Sequence, residues 1–500
     1  MQTPLDPIPP SVAHALLTAH LLVWTVLALY GLHRLHLLRL FRGRDRGPDQ
    51  NSPPAESADP PVEWPRVTIQ LPVYNERYVV ERLLDAAAAV DYPADRLEIQ
   101  LLDDSTDETT SIAAVKVSAL RAAGVDVAHV RRASRTGFKA AALQNGLESA
   151  KGELLAIFDA DFVPPPNFLR DTVPHFSDPG VGMVQARWTH LNQEYSALAQ
   201  AQAISLDGHF VVEHAARMTG GCFFNFNGTA GILRKSCVED AGGWQSDTLT
   251  EDLDLSYRAQ LKGWRFVFAP AVGCPSELPV EMNAFKAQQH RWVKGSIQVA
   301  RKVLPAVWRS SLPARVKWEA TFHLTSNAAY VALLLLSAIV YPVVLVRYAS
   351  KSLLFTIVDA ALFLTATVSV TLYLATAQRA VRPDWRRMLA YFPFAMSLGI
   401  GLAVNNTRAV LGALFGGRGV FHRTPKFSIE RRGDGWRGKR YRAPGSLWAL
   451  VELALGLYFA WAMLALVEAR LYAPLPFFLL YLFGFLYVGT LSLVHASRRA

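Results

Sequence analysis

Apolar runs of bilayer-crossing length bracket a central block of roughly 250 residues, and this arrangement limits the fold more than any other feature of the chain. The first run extends from Val12 to Leu32, and the others lie at about 322–346, 352–376, 388–415, 446–468 and 471–494. A spanning helix needs about 20 apolar residues, which each run supplies. A chain of 500 residues with 51% hydrophobic content is too long and too apolar for one ordinary soluble domain. The central block is large enough to bury a core of its own.

The first run has no basic region before it, which argues for a spanning helix over a cleaved signal peptide. Arg34, Arg39, Arg42, Arg44 and Arg46 follow it at once. Basic loops stay on the cytoplasmic side, so the N-terminus is expected outside and residues 34–46 inside. The formal net charge of +10 comes from basic residues gathered beside apolar runs, a topology signal and not a nucleic-acid groove. Cys222, Cys237 and Cys274 have no paired spacing, so neither a disulfide framework nor a zinc site is expected.

Charge also bears on the number of crossings. If every later run crossed, the segment from Arg418 to Arg442, with nine Lys or Arg against two acids, would lie outside. The run at about 388–415 is flanked by Arg386 and Arg387 and by that basic segment. It is therefore expected to lie in the interface or to re-enter, leaving five crossings and a C-terminus inside; a six-span reading stays open. Asp359, inside an apolar run, either lines a path or is exposed to head-group water near the outer end.

Within the central block, short β-branched runs alternate with helix-length stretches. Strands are predicted at Val67–Val73, Leu97–Leu102, Glu153–Asp159 and Val181–Arg187, with helices near Glu76–Val90, Glu108–Ala122 and Gly137–Ala150. This alternation implies an α/β fold with a mainly parallel, doubly wound sheet, whose ligands bind beyond the carboxyl ends of the strands. The expected layout is a membrane helix and basic loop (1–46), a linker (47–65), the α/β domain (66–280), interfacial helices (281–320) and a membrane region (321–500).

Carboxylates stand where such a sheet binds ligands. Asp103 and Asp104 end one strand, where capping and ligand binding are equally good explanations. Asp159 and Asp161 end another; two carboxylates one residue apart suit a hard divalent cation, Mg²⁺ or Mn²⁺, that bridges a substrate diphosphate. Thr250-Glu251-Asp252 opens a helical segment. There Asp252, with Glu251 beside it, is either a general base for a sugar hydroxyl or an acid favoured by the helix dipole. Gln288, Arg291 and Trp292 approach the membrane, where Arg can grip a diphosphate and Trp can stack on a sugar or anchor the interface.

Taken in order, these four sites resemble those of the processive family 2 glycosyltransferases, which include cellulose, chitin and hyaluronan synthases. The resemblance is strong over about residues 66–305. It extends to Pro72-Val73-Tyr74-Asn75-Glu76, to Gly137-Phe138-Lys139-Ala140 and to FFNFNGTAG from Phe223 to Gly231. LDDSTD and FNFNGTAG are most similar to the cellulose synthase-like A and C branches, whose products are mannan, glucomannan and the glucan backbone of xyloglucan. Phe421-His422-Arg423-Thr424-Pro425-Lys426 resembles the gating loop Phe-x-Val-Thr-x-Lys, with Arg423 in place of the hydrophobic residue.

The resemblance implies a GT-A-type domain that transfers hexose with inversion from GDP-mannose or UDP-glucose to a β-1,4-linked polysaccharide. It places Tyr74, Glu76 and Asp104 at the nucleotide, Lys139 at the diphosphate, and Asp159 and Asp161 on donor and metal. Asp252 becomes the catalytic base. Gln288, Arg291 and Trp292 border diphosphate and acceptor, while Asn227, Gly228 and Thr229 line the acceptor cleft. Phe421, Thr424 and Lys426 belong to the gate, which must then be cytoplasmic.

Two rival readings remain: single-sugar transfer to a lipid acceptor, giving a glycolipid, and a transporter or inactive membrane protein. Compact size and the lack of internal-membrane retrieval signals point to a bacterial inner membrane over a Golgi membrane. The expected partners are a nucleotide sugar, a polysaccharide or glycolipid acceptor and membrane lipid, without nucleic acid; partners that secrete or modify the product would be encoded elsewhere.

Overall fold

The computed structural model describes residues 9–43, 63–350, 352–417, 423–441 and 445–497. The central block is built on a seven-stranded sheet of order β3-β2-β1-β4-β6-β5-β7. The strands are β1 (Val67–Val73), β2 (Leu97–Asp103), β3 (Val127–Arg131), β4 (Leu154–Ile157), β5 (Val181–His190), β6 (Gly231–Arg234) and β7 (Arg265–Ser276). Neighbours pair in parallel except β6, which runs against both β4 and β5. The sheet is mainly parallel, as expected, with one reversed strand.

Burial on both faces explains the apolar character of the strands. Val67, Ile69 and Leu71 of β1 are fully buried against Val80, Leu83 and Leu84 of the helix Val80–Ala88. On the other face, Leu102, Leu155 and Ile157 pack with Leu143 and Leu147 of the helix Phe138–Ser149. Buried polar groups in the sheet are paired: the Thr68 hydroxyl donates to Glu98 at 2.6 Å and accepts the Gly152 N–H at 2.8 Å.

Among the described residues, five helices are long and apolar enough to cross a membrane: Pro10–Gly43, Ala314–Ser350, Leu353–Val381, Trp448–Glu468 and Leu475–Ser497. The second begins at Ala314, inside the stretch assigned by sequence to interfacial helices. Residues 385–414 form a pair of helices, Trp385–Gly401 and Ala403–Leu414, bent by 44°. At its start Gln200 donates to the Met388 sulfur at 3.4 Å, and at its end Arg301 donates to the Ala413 carbonyl at 2.5 Å. Gln200 and Arg301 lie on the helices Ala197–Asp207 and Met282–Arg309, which belong to the catalytic side of the molecule. The bent pair meets the last helix backbone to backbone, where a Cβ on Gly401 would stand 2.3 Å from the Gly484 carbonyl oxygen.

Asp359 is not exposed. It is buried, bonded to His20 of the first helix at 2.6 Å and paired with Arg347. Lys286 of the helix Met282–Arg309 is likewise buried, with both Glu452 oxygens at 2.7 Å and the Ser492 hydroxyl at 3.2 Å. Three membrane-region helices are thus tied by charge to elements outside their own turn of chain.

Candidate active site

The sheet order reverses direction between β1 and β4: the chain winds from β1 to β2 and β3 on one side and enters β4 on the other. A doubly wound sheet opens a crevice at such a point, outside its carboxyl edge. The cavity found there is lined by residues from both sides, among them Tyr74, Asp104, Asp159, Asp161, Asp252 and Trp292.

On the β1 and β2 side, Asn75 takes φ 54° in the turn after β1. Its side-chain oxygen accepts the Thr106 N–H at 2.8 Å, while its own N–H donates to the Ser105 hydroxyl at 2.8 Å. This stitching fixes Tyr74 and Glu76 at the cavity wall. The neighbouring Asp103 and Asp104 divide the two roles the sequence left open. Asp103 is buried, accepts the Ser105 N–H at 2.8 Å and pairs with His129 at 2.9 Å, so it is structural. Asp104 faces the cavity, its Oδ1 held by Arg132 Nε at 3.0 Å.

Lys139 lies in the first turn of the helix Phe138–Ser149 and bonds Asp159 Oδ1 at 2.5 Å and the Gly228 carbonyl at 2.9 Å. The Asp159 N–H donates to the Thr229 hydroxyl at 2.9 Å. Thr229 is fully buried and does not line the cleft; this corrects its assignment to the acceptor, because its hydroxyl is spent on positioning Asp159. Asn227 and Gly228 do line the cavity. The Asn227 side chain is clamped between His214 at 2.6 Å and His209 at 2.9 Å, from a π-helical turn at Gly208–His214. Gly228 has φ +81°, and a Cβ there would stand 2.8 Å from Asp252 Oδ2, so this position needs glycine twice over.

Glu251 and Asp252 open the helix Glu251–Leu261 and both line the cavity. Asp252 is pushed up to about 7, chiefly by burial and then by the neighbouring Glu251 charge, against the pull of Lys139, the Leu253 N–H and Arg291. A carboxyl titrating near neutrality is suited to accept a proton from a hydroxyl. Gln288, Arg291 and Trp292, at i, i+3 and i+4 on the helix Met282–Arg309, reach the same cavity from one face of that helix.

The loop that follows the bent helix pair closes the wall. Thr424 and Lys426 are buried and line the cavity, and Lys426 is ion-paired with Asp161. Phe421 lies outside the described residues. Arg423 pairs with Glu76 at 2.9 Å and stacks over the Tyr441 ring at 4.0 Å. Glu76 is pushed up to about 8 by burial, with Arg423 and Lys426 drawing it back down.

Sequence reading missed Arg135 and Trp188, which also line the cavity. Arg135 lies two residues before the Gly137–Ala140 stretch, and Trp188 lies one residue beyond the predicted strand Val181–Arg187, in the part of β5 that the prediction left out. Among the described residues no cluster of three or more His, Cys, Asp or Glu forms a ready-made metal cage. Asp159 and Asp161 nevertheless fit a hard divalent cation, which commonly takes one or two carboxylates and completes its shell with substrate phosphates.

Residues 65–295 match the family described as glycosyltransferase like family 2. The chain is 44% identical over 255 residues to glucomannan 4-beta-mannosyltransferase 1 of Oryza sativa subsp. japonica, covering 49% of this chain and 48% of that protein. It is 41% identical over 252 residues to glucomannan 4-beta-mannosyltransferase 2 of Arabidopsis thaliana, covering 49% of this chain and 47% of the relative. The chain spans about half the length of these curated relatives. Their plant origin overturns the expectation of a bacterial inner membrane.

A solved structure of similar fold is the mannosyltransferase of Pyrobaculum calidifontis in complex with GDP-Man and Mn²⁺: TM-score 0.54 at 22% identity, over 79% of this chain and 99% of that one. Sequence match, sheet order and the carboxylates at the strand ends agree: residues 65–295 match glycosyltransferase like family 2, and the chain shares the fold of that mannosyltransferase.

Proposed function

We propose that the chain transfers mannose, with inversion, from GDP-mannose to the growing end of a β-1,4-linked polysaccharide on the cytoplasmic face of a membrane. The observation that carries this reading is Asp252, a buried carboxyl raised to about 7 that shares one cavity with Lys139, Asp159, Asp161 and Arg291. The mannosyltransferase relatives and the GDP-Man complex of the structural neighbour support mannose and guanosine diphosphate over glucose and uridine diphosphate.

The reaction is one in-line displacement. An acceptor hydroxyl gives its proton to Asp252 as its oxygen bonds the anomeric carbon, and the bond from that carbon to the diphosphate oxygen breaks on the opposite face. Lys139 and Arg291 are placed to hold the departing diphosphate, and Trp292 to stack on the acceptor ring. Asp159 and Asp161 would hold Mg²⁺ or Mn²⁺, which supplies neutralisation of the leaving group's charge. Lys426 is ion-paired with Asp161 and would have to yield that carboxylate for a cation to be held there.

Five crossings fit this chemistry. Contacts from the helices Ala197–Asp207 and Met282–Arg309 to the two ends of the bent pair, and from the segment after it to the cavity, support an interfacial pair and five crossings over six. The product would leave between the spanning helices, with Trp292 at the entrance.

The test is turnover. Purified, detergent-solubilised protein with Mn²⁺ or Mg²⁺ is given GDP-mannose, UDP-glucose or UDP-N-acetylglucosamine, and released nucleotide and product size are measured. A polymer cut by β-mannanase, absent with Asp252→Asn, is the expected result. A single glycolipid would move the reading to a lipid acceptor, and no turnover of any donor would overturn it.

A further inference from the structure

We infer that Arg135 reads the nucleobase of the donor and makes the cavity select guanine over uracil. This deepens the donor reading above and rests on it.

The cavity has two chemically distinct ends. Toward β4 and the helix Glu251–Leu261 lie the carboxylates, Lys139 and Trp292, the end suited to diphosphate and sugar. Toward β1 and β2 lies a flat, planar end: the Tyr74 ring carries the Arg135 guanidinium 3.4 Å above its centroid, and Asp104 is within electrostatic reach of the same guanidinium. A nucleotide spanning the crevice therefore has its only planar group, the base, against Tyr74, Asp104 and Arg135.

The hydrogen-bonding groups at that end are complementary to one base in particular. Asp104 is oriented from behind by Arg132, through Nε to Oδ1 at 3.0 Å and a second contact to Oδ2. Each carboxylate oxygen retains a further lone pair. Guanine offers two adjacent donors, N1–H and the N2 amine, to a carboxylate, and two adjacent acceptors, O6 and N7, to an arginine fork. Uracil offers one donor, N3–H, and no adjacent pair of acceptors. A guanidinium is the side chain that turns this difference into selection, because it donates two parallel hydrogen bonds where a lysine is a point charge.

Arg135 is also held where the base edge falls. Its carbonyl accepts the Phe138 N–H at 2.9 Å, closing the turn into the helix Phe138–Ser149, and its guanidinium lies 4.9 Å from the Phe138 ring centroid. The backbone stays fixed while the long side chain passes from the Tyr74 face to the edge of a base that takes that face.

The experiment is equilibrium titration of the full-length, detergent-solubilised protein with GDP and with UDP, each with Mn²⁺, for the wild type, Arg135→Lys and Arg135→Met. The wild type is expected to bind GDP at least about tenfold more tightly than UDP, the size of one bidentate base contact. Both variants should bring the two affinities to within about threefold by weakening GDP and sparing UDP. The lysine variant keeps the charge, so loss of preference there separates base reading from attraction to the diphosphate. The inference is overturned if the wild type shows no preference for GDP, if the preference survives both substitutions, or if each weakens GDP and UDP equally. Failure of either nucleotide to bind the wild type would instead remove the donor reading on which the inference rests.

Discussion

The ion pairs of the cavity and those that join the membrane-region helices to the rest of the molecule are built differently. In the cavity, Lys139 meets Asp159 with 35% of the aspartate side chain still exposed, and Lys426 meets Asp161 from a loop. At the seams with the membrane-region helices, Lys286 of the helix Met282–Arg309 meets Glu452 with the glutamate side chain fully enclosed, and Arg217 of the helix Ala215–Thr219 meets Glu319 with both nearly so. A pair open on one side can exchange its cation for another ligand at small cost. A sealed pair has already lost its hydration and has nothing to replace its partner. The Lys139–Asp159 pair is accordingly exchangeable, and the seam pairs are fastenings.

Breaking one member in each region separates these roles. Asp252→Asn should lower kcat by about 10²- to 10⁴-fold, the usual value of a positioned base, while GDP affinity changes little; nucleotide release and titration measure the two. Glu452→Gln should destabilise the protein by about 3–5 kcal/mol, because it strands the buried Lys286 charge. Replacing both partners with apolar residues, as Lys286→Met with Glu452→Leu, should recover most of that loss in thermal unfolding. In the cavity, Lys139→Met should reverse the pattern, with activity falling far more than melting temperature.

The pH profile sharpens the contrast further. Asp252 acts as a base only when ionised, so kcat/KM should rise about tenfold per pH unit below about 7 and level off above it. Since the Glu251 charge helps raise Asp252, Glu251→Gln should move that limb to lower pH. The smallest effect is expected at Arg423. Its replacement by Val removes the pairing with Glu76 and should alter donor KM only about two- to fivefold, as for one partly buried ion pair at a loop; an unchanged KM would show that the loop closes without this contact.

What sequence reading recovered follows from how each signal is encoded. β1, β2, β4 and β5 were legible as apolar runs bounded by turns, and the acids at three strand or helix ends announced the cavity. β7 was hidden because Pro270, Gly273 and Pro275 interrupt it; a register shift against β5 between Ala186 and Arg187 accommodates the irregular stretch. β6 is four residues long, too short for a period to show. Thr229 could not be separated from Asn227 and Gly228 by spacing, since its hydroxyl turns toward the Asp159 backbone only once β6 pairs with β4. Arg135 needed the Tyr74 ring to give it meaning, a contact between loops 61 residues apart.

The reversed strand has a consequence for how the domain moves and assembles. β3, β2, β1 and β4 form one hydrogen-bonded unit and β5 with β7 another; β6 joins them through four residue pairs to β4 and three to β5, beside a bridge between Phe162 and Ser276. The last sheet strand but one to be synthesised is thus the keystone of the whole sheet. Shear between the two halves of the sheet is therefore shared by the Phe162–Ser276 bridge, next to Asp161, and by Gly231, Ile232, Leu233 and Arg234, which follow the segment that touches Asp252.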